Sequence, residues 1–375
     1  MRLLYITSSS GRRINGFMRS AIKAAQNSGY EFVMACNTRT AYTEQYKQDC
    51  EDYGITLRHI DFNRNPVNPK NLKAMRQLTS LLKTEHFDAV HCNTPIGGLA
   101  GRICSAKAGV KPVIYQAHGF HFWHGAPLIN WMLYYPVEKS LSKRTDILIT
   151  IARDDFDLAK KMRAKTVKYV HGVGVDLSSF ERRSDNERNL SLRMALGIPD
   201  DALVLLSVGE LNKNKNHKVV INALNKLQRK DVFYVICGTG NKKEYLQSLI
   251  SKYGLQNRVI LPGFRTDVSE FYKMADLFVF PSLREGIPGA VMEAAATGVT
   301  VIASDIRGIR DIITDPGYRF SPTDADELSK LIERTLSRDN RDNQETNYSN
   351  LSPYSFDNVV KELEEIYKGL DQKIR

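Results

Sequence analysis

Short, fully apolar runs alternate along this chain with longer segments in which apolar residues recur every three or four positions. The short runs predict buried strands, and the longer segments predict helices that pack on them. In the first half of the chain, the strand-like runs are residues 2–7, 32–36, 87–92, 112–117, 146–151 and 167–172. This order of elements is typical of a doubly wound sheet of parallel strands.

The pattern stops and then restarts in the second half. Residues 181–189, ERRSDNERN, contain no large apolar side chain and predict a linker. The later strand-like runs are residues 203–209, 232–238, 258–263, 276–282 and 299–305. Residues 352–370 predict one amphipathic helix. We therefore predict an α/β protein with domains at 1–180 and 190–350 and a terminal helix within 351–375.

Composition narrows the class of protein further. The longest apolar runs are far too short to span a bilayer, and the amino terminus reads directly into a strand, so we expect a cytoplasmic protein. The five cysteines include no C-x-x-C pair and predict reduced core residues. The net charge of +11 suits nucleic acid, an anionic membrane or anionic small molecules, and does not choose among them.

Loops after the strands are the candidate sites, because ligands of such sheets bind outside the carboxyl ends of the strands. In the first half, Gly11 and Gly16 follow the first strand, and a cluster at 97–101 holds three more glycines. These glycines indicate either close approach to a ligand or ordinary turns and helix packing. Two parallel-sheet domains usually bind a ligand in the cleft between them. His118 directly follows a strand, so we expect it to lie in that cleft.

Residues 115–136 combine three histidines with both tryptophans and several other aromatic residues. No matching carboxylate or cysteine completes a metal site there, so we expect no bound metal. The segment instead predicts an aromatic wall of the cleft or a surface that meets lipid.

The second half offers a cationic loop and a pair of glutamates. Lys213, Lys215 and Lys218 crowd the start of a helix, which suits phosphate but also describes ordinary surface lysines. In REGIPGAVME, Glu285 and Glu293 flank a turn and the start of a helix. Eight helical residues rise by roughly 12 Å, whereas a retaining glycosidase needs carboxyl groups about 5 Å apart. We therefore expect the two acids to contact different parts of one long ligand.

Taken together, these segments resemble bacterial glycosyltransferases of family 4. The E-x7-E motif of that family matches Glu285 and Glu293, and its glycine–lysine loop matches VGELNKNKN. HCNTPIGG, HGFHFWHGAP, YYPVEKSLS and HGVGVD are similar to segments of transferases that build capsules or exopolysaccharides. The resemblance covers essentially the whole chain. It implies the GT-B fold, with two facing Rossmann-like domains and a C-terminal helix that crosses back to the first.

The resemblance also implies roles for single residues. Glu293 would hold the ribose, and Lys215 would neutralise the diphosphate leaving group. Glu285 would hold the donor sugar and diphosphate together with the amides of the following turn. The remaining implied contacts are Gly286, Ile287 and Gly289 in that turn, His118 near the sugar, Phe264 and Arg265 at the base, and Gly11 and Gly16 near the phosphates. The family commonly has an arginine where this chain has Glu210, which leaves the diphosphate to Lys215 with Lys213 or the helix ends.

The implied activity is retaining transfer of a hexose or N-acetylhexosamine from a UDP-sugar to a lipid-linked saccharide, with no metal or other cofactor. The protein would then be peripheral on the inner face of the membrane, with no nucleic-acid partner. A basic helix face with Lys70, Lys73, Arg76 and Lys83 would meet anionic lipid or would simply be solvated. A nucleotide-sugar 2-epimerase of the same fold and a non-catalytic nucleotide- or glycan-binding protein remain alternatives.

Overall fold

The computed structural model describes residues 1–8, 13–14, 16–39, 43–63, 65–66, 68–180, 190–337 and 351–371, except the side chain of residue 371. The chain forms two compact units. One unit consists of Met1–Gly174 with Phe356–Arg375, and the other is Val175–Ser355. The predicted linker at 181–189 lies outside the described residues. No helix among those described is long and apolar enough to cross a bilayer.

The first unit is built on a sheet of seven parallel strands. The strands are β1 Arg2–Ile6, β2 Glu31–Cys36, β3 Thr56–His59, β4 Ala89–Asn93, β5 Val113–Ala117, β6 Ile147–Thr150 and β7 Thr166–Tyr169. Their order in the sheet is β3-β2-β1-β4-β5-β6-β7, so the direction of winding reverses between β1 and β4. Both faces are covered, because Leu3 and Tyr5 enter one core whereas Leu4 and Ile6 enter the other.

The helices of this unit connect its strands. They are α1 Gly16–Asn27, α2 Glu44–Asp52, α3 Lys70–Thr84, α4 Pro95–Ala108, α5 Leu128–Leu141 and α6 Arg153–Ala159. A Cβ on Gly98 would lie 2.3 Å from the Tyr115 ring, and one on Gly101 would lie 2.6 Å from Cβ of Cys92. Of the two interpretations of this glycine cluster, close packing of α4 on the sheet is the one that the structure supports.

The second unit repeats the architecture with six parallel strands. These are β8 Leu203–Val208, β9 Val232–Cys237, β10 Val259–Gly263, β11 Leu277–Phe280, β12 Thr300–Ser304 and β13 Arg319–Phe320. Their order is β10-β9-β8-β11-β12-β13, with the reversal between β8 and β11. The helices are α7 Leu190–Ala195, α8 Lys218–Lys226, α9 Lys243–Lys252, α10 Val268–Met274, α11 Gly289–Ala296, α12 Ile309–Ile312 and α13 Ala325–Leu336. The prediction of two parallel-sheet units is confirmed.

The last helix, α14 at Phe356–Asp371, belongs to the first unit and packs on α1. Val359, Leu363 and Tyr367 repeat every fourth position and are buried in the core that also holds α1. The Tyr367 hydroxyl lies 2.7 Å from Nδ1 of the buried His91 on β4. A single helix after the second unit therefore completes the core of the first.

The boundary between the two units differs slightly from the sequence prediction. Residues 175–180 belong to the second unit rather than the first, because the backbone N–H of Val175 donates to Tyr354 O at 3.0 Å and Val175 forms a β-bridge with Ser355.

All five cysteines are buried and unpaired, as predicted. Burial raises the pKa of the Cys36 and Cys237 thiols to about 12, which keeps them protonated.

Candidate functional site

The candidate site of the second unit lies where the winding of its sheet reverses. The loop 209–217 leads from β8 into α8, and the turn 281–288 leads from β11 into α11. Because β8 and β11 are neighbouring parallel strands, both loops leave the same edge of the sheet. Residues 70 positions apart in sequence therefore come into contact.

A lysine and a glutamate join these two loops. Lys215 Nζ lies 2.9 Å from Glu285 Oε1, with 22% of the lysine and 18% of the glutamate side chain exposed. The ammonium also lies 4.8 Å from the centre of the Phe280 ring. Backbone contacts hold the loops together, since Leu283 N–H donates to Asn214 O at 2.8 Å and Asn214 Nδ2 donates to Arg284 O at 2.9 Å. The pair is accessible from solvent, so an anion could compete with Glu285 for the ammonium.

Asn216 fixes the shape of the lysine loop. Its backbone has a φ of 53°, a left-handed conformation that asparagine tolerates better than most residues. Its buried side chain donates to Pro281 O at 3.1 Å and to Pro322 O at 2.8 Å. Asn216 was not predicted from the sequence, although an asparagine after a glycine-started polar loop is a recognisable signal for this conformation.

His217 is a second residue of the site that was not predicted from the sequence. It is buried and starts a relay in which its Nδ1 lies 3.3 Å from Tyr234 OH and that hydroxyl donates to Ser207 Oγ at 2.9 Å. Ser207 in turn donates to Val279 O at 2.6 Å, which reaches β11. Burial, reinforced by the charge of Lys215, lowers the pKa of His217 to about 4. The imidazole is therefore neutral at pH 7 and ties β8, β9 and β11 together beneath the loop.

The turn before α11 supplies backbone donors. Pro288 precedes the helix, and no described side chain caps its first N–H groups. Gly308, from the loop after β12, approaches so closely that a Cβ there would lie 1.5 Å from Gly286 O. Gly286, Ile287 and Gly289 thus form a tightly supported turn whose amides are suited to an anion.

Glu293 lies in α11 and has a different environment from Glu285. The hydroxyl of the buried Tyr272 donates to its Oε2 at 3.0 Å. Burial raises the pKa of Glu293 above its ordinary value, and the Tyr272 hydrogen bond opposes that shift. The two glutamates therefore have separate partners, one an ammonium and the other a phenol, which does not suggest an acid–nucleophile pair.

The loop after β10 carries the predicted pair Phe264 and Arg265. The Phe264 side chain is 66% exposed. Arg265 makes two hydrogen bonds to Asp267, at 2.8 and 2.6 Å, and its guanidinium lies 5.2 Å from the centre of the Phe271 ring. An exposed ring beside a fixed guanidinium offers a flat, apolar contact for a ligand.

The remaining predicted residues belong to the first unit. His118 follows β5, is partly exposed, and donates from Nε2 to Asn93 Oδ1 at 2.9 Å. Burial lowers the pKa of His118 to about 4. The centres of the His118 and Phe17 rings are 4.5 Å apart. Gly16, the first residue of α1, directly precedes Phe17 in the sequence. Gly11 lies outside the described residues.

Two further observations concern charge at the site. Glu210, which stands where an arginine is usual in the family that this chain resembles, is exposed at the start of the lysine loop. Within the described residues, no group of three histidine, cysteine or acidic side chains is arranged to hold a metal ion. Lys215 and the amides of the turn are positive groups that these two loops bring together at Glu285.

Comparison with known proteins agrees with this architecture. Residues 2–152 match the family described as "Glycosyl transferase 4-like", and residues 190–350 match "Glycosyl transferases group 1". The putative glycosyltransferase EpsD of Bacillus subtilis is 38% identical over 82% of this chain and 80% of its own length. The Escherichia coli UDP-Gal:α-D-GlcNAc-diphosphoundecaprenol α-1,3-galactosyltransferase is 30% identical over 81% of this chain and 80% of its own.

A solved structure shows the same fold. HepE of Anabaena, crystallised with UDP and glucose, superimposes with a TM-score of 0.76 at 20% identity and covers 99% of this chain and 100% of its own. The chain is an enzyme of polysaccharide biosynthesis with the GT-B fold, and it belongs to the group 1, family 4-like glycosyltransferases.

Proposed function

We propose that this enzyme transfers a hexose or N-acetylhexosamine from a UDP-sugar to a lipid-linked saccharide with retention of anomeric configuration. The observation that carries the proposal is the Lys215–Glu285 pair beside the uncapped start of α11, with Glu293 farther along the same helix. The name of the E. coli relative specifies a UDP-sugar donor and a diphosphoundecaprenol-linked acceptor, and HepE was crystallised with UDP. These names support the same class of donor and acceptor for this chain.

Lys215 would stabilise the leaving diphosphate. In the free protein its ammonium is paired with Glu285, so the site holds little excess charge before the donor arrives. The diphosphate would take over the ammonium and accept hydrogen bonds from the amides of Gly286, Ile287 and Gly289. Glu285, released from the lysine, would accept hydrogen bonds from the hydroxyls of the donor sugar. Fixed positive groups aimed at developing negative charge are an effective source of rate enhancement, and no metal is needed in this proposal.

Glu293 would accept hydrogen bonds from the ribose hydroxyls. The Tyr272 hydroxyl occupies one carboxylate oxygen and orients the group, which leaves the other oxygen available. Phe264 and Arg265 would contact the uracil base, one by its exposed ring and the other through the edge of its guanidinium. The two glutamates would then contact opposite ends of one nucleotide sugar.

The first unit would supply the acceptor site and His118. A neutral imidazole at pH 7 can donate or accept a hydrogen bond to the donor sugar without adding charge. The acceptor hydroxyl would attack the anomeric carbon from the side of the leaving group, and a phosphate oxygen would take its proton. The bond from carbon to the diphosphate breaks as the new glycosidic bond forms. Gly11 and Gly16 would lie near the phosphates.

A lipid-linked acceptor places the reaction at a membrane surface, so we propose that the protein is peripheral on the cytoplasmic side of the membrane. We propose no nucleic-acid partner. The exposed basic residues of α3 include Lys73, which already pairs with Asp61 at 2.7 Å.

The presence of Glu210 where arginine is usual favours one other function, a protein that binds UDP or glycan without turnover.

Release of UDP from a panel of nucleotide sugars tests this proposal. We expect release from one UDP-sugar, and we expect it to depend on added undecaprenyl-diphosphate-linked saccharide. UDP binding without release from any donor would contradict catalysis and favour the binding protein. Conversion of the donor into its epimer without acceptor would favour the 2-epimerase.

A further inference from the structure

Helix α5 presents an apolar face to solvent. On this face, the exposed fraction of the large apolar residues runs from 46% for Val137 to 80% for Leu128. The residues that share this face are Leu128, Ile129, Met132, Leu133, Pro136 and Val137. Their spacing places them on about half of the circumference of the helix. Single exposed apolar residues are ordinary on a protein surface, but a continuous face of this kind marks an interaction site.

The opposite side of α5 is firmly packed, so the apolar face is not free to turn inward. Trp131 donates to Trp123 O at 3.1 Å, and the rings of Trp131 and Tyr135 pack on the core around Phe122. The buried Arg102 holds Glu138 through two hydrogen bonds at 2.8 and 3.2 Å. Glu138 is the one acidic residue of α5, and this contact removes its charge from the outer face.

A cationic cluster lies at the carboxyl end of α5. Its exposed members are Lys143, Arg144, Lys160, Lys161, Arg163 and Lys165. The two parts of this cluster are joined where Arg163 N–H donates to Ser142 Oγ at 2.9 Å and Lys165 N–H donates to Thr145 O at 3.2 Å. Asp157 and Asp146 neutralise Lys160 and Lys165, and the other four cations have no ion pair with any residue that the structure describes.

We propose that the outer face of α5 inserts into the interface of an anionic lipid bilayer while the cationic cluster contacts the lipid head groups. An apolar helix face beside a group of lysines and arginines is the combination that binds such surfaces. A helix of 14 residues is too short to span the bilayer, so α5 lies in the plane of the interface. Helix α3 is less suited than α5 to binding a membrane, because it combines its basic residues with a single large exposed apolar residue, Leu72.

This inference rests on the proposed function, because it names the surface that would make the proposed membrane contact, but its test does not depend on turnover. The full chain is sedimented with vesicles of phosphatidylcholine, with and without phosphatidylglycerol. We expect binding that requires the anionic lipid and is about tenfold weaker in the double variant Met132→Gln/Leu133→Gln. Met194→Gln is the matched control, because this methionine is 76% exposed on α7 of the second unit. It should bind vesicles as the wild type does.

Charge and folding are separated from the apolar contribution by two further measurements. Lys143→Glu/Arg144→Glu should abolish the preference for anionic vesicles, and UDP affinity should stay unchanged in every variant. Equal vesicle binding by the wild type and the α5 double variant would overturn the proposal. So would a concentration-dependent dimer, lost in the double variant, in a protein that does not sediment with vesicles, because the face would then bind a second copy. Neither result would affect the proposed transferase activity.

Discussion

At the scale of the residue, the site depends on the positive charge of Lys215, which is paired with Glu285 and would exchange that partner for the diphosphate of the donor. Lys215 is paired with Glu285 at 2.9 Å, and both side chains are partly exposed to solvent. A diphosphate offers the ammonium more negative charge than one carboxylate does, so exchange of partners is favourable on donor binding. The same step would free Glu285 for the sugar.

Replacing Lys215 should therefore impair the chemical step more than it impairs binding. We expect Lys215→Ala to lower kcat by about a hundredfold or more, since it removes a positive group from the developing diphosphate charge. The rate of UDP release in saturating donor and acceptor measures this effect. Lys213→Ala is the matched control, because Lys213 is an exposed lysine of the same loop and should stay within a few-fold of the wild type. A similar loss of kcat in both variants would contradict the specific role of Lys215.

His118 should be neutral across the physiological range. Burial lowers its pKa to about 4, below the ordinary value of 6.5. In a proton NMR titration, its imidazole resonance should stay constant from pH 8 down to about 5 and shift only as the pH approaches 4. A titration midpoint near 6.5 would show a solvated, charged histidine and would contradict the proposed hydrogen-bonding role.

The sequence predicted some members of the site and not the residues that position them. Glu285, Glu293 and Lys215 belong to motifs that can be recognised in one linear segment each. Tyr272 orients Glu293, Asn93 orients His118, and Asn216 ties the lysine loop to Pro281, through contacts that only the folded sheet creates. Asn216 has a recognisable signal in its polar loop, whereas no local pattern in the sequence marks Tyr272 or Asn93 as partners.

At the scale of the element, the strand order explains why the two loops meet. The alternation of apolar runs and amphipathic segments predicts parallel strands with helices between them, and the structure has them. Alternation alone does not give the order of strands in a sheet. The adjacency of β8 and β11 places the lysine loop against the glutamate turn, and it is known only from the structure.

The turn before α11 depends on a glycine from another loop. A side chain at Gly308 would overlap Gly286 O, so Gly308→Ala should displace the turn and weaken UDP binding by about tenfold or more. Gly254→Ala is the control for backbone strain, since Gly254 has a similar positive φ of 65° and a Cβ there would meet nothing within 4 Å. Isothermal titration with UDP measures both variants. Equal affinities in the two would show that the contact with Gly286 does not shape the site.

At the scale of the whole molecule, the chain consists of two units that each have their own sheet and cores. The apolar pattern predicted both, because each parallel strand is buried on two faces and therefore stands out as a continuous apolar run. The pattern did not reveal that Val175 pairs with the segment before α14, a backbone contact between residues 180 positions apart. Hydrogen bonds between distant backbone segments leave no signature in hydrophobicity.

Buried neutral histidines should make the protein sensitive to acid. Burial lowers the pKa of His91 to about 3 and that of His217 to about 4, whereas the unfolded chain takes up these protons near 6.5. Between those values the unfolded state binds more protons, so the free energy of unfolding falls as the pH falls below 6.5. Each histidine should contribute about 2 kcal/mol to the loss between pH 7 and pH 5.

Urea denaturation at the two pH values measures this loss, with His217→Gln to isolate one histidine. The variant is expected to be less stable at pH 7, because it disrupts the relay to Tyr234, and to lose less stability than the wild type on acidification. An identical pH dependence in the variant and the wild type would mean that His217 is not held neutral by burial.

The central claim is that Glu285 and Glu293 serve two ends of one nucleotide-sugar site, and calorimetric titration with UDP tests it most directly. UDP keeps the ribose that Glu293 is proposed to bind but lacks the transferred sugar, so the claim requires that Glu293 contribute to the affinity for UDP itself. We predict that Glu293→Ala weakens UDP binding by about ten- to a hundredfold, because hydrogen bonds to a charged carboxylate are lost. Glu244→Ala, an exposed glutamate in the first turn of α9, should bind as the wild type does. UDP affinity in Glu293→Ala equal to that of the wild type would contradict the account.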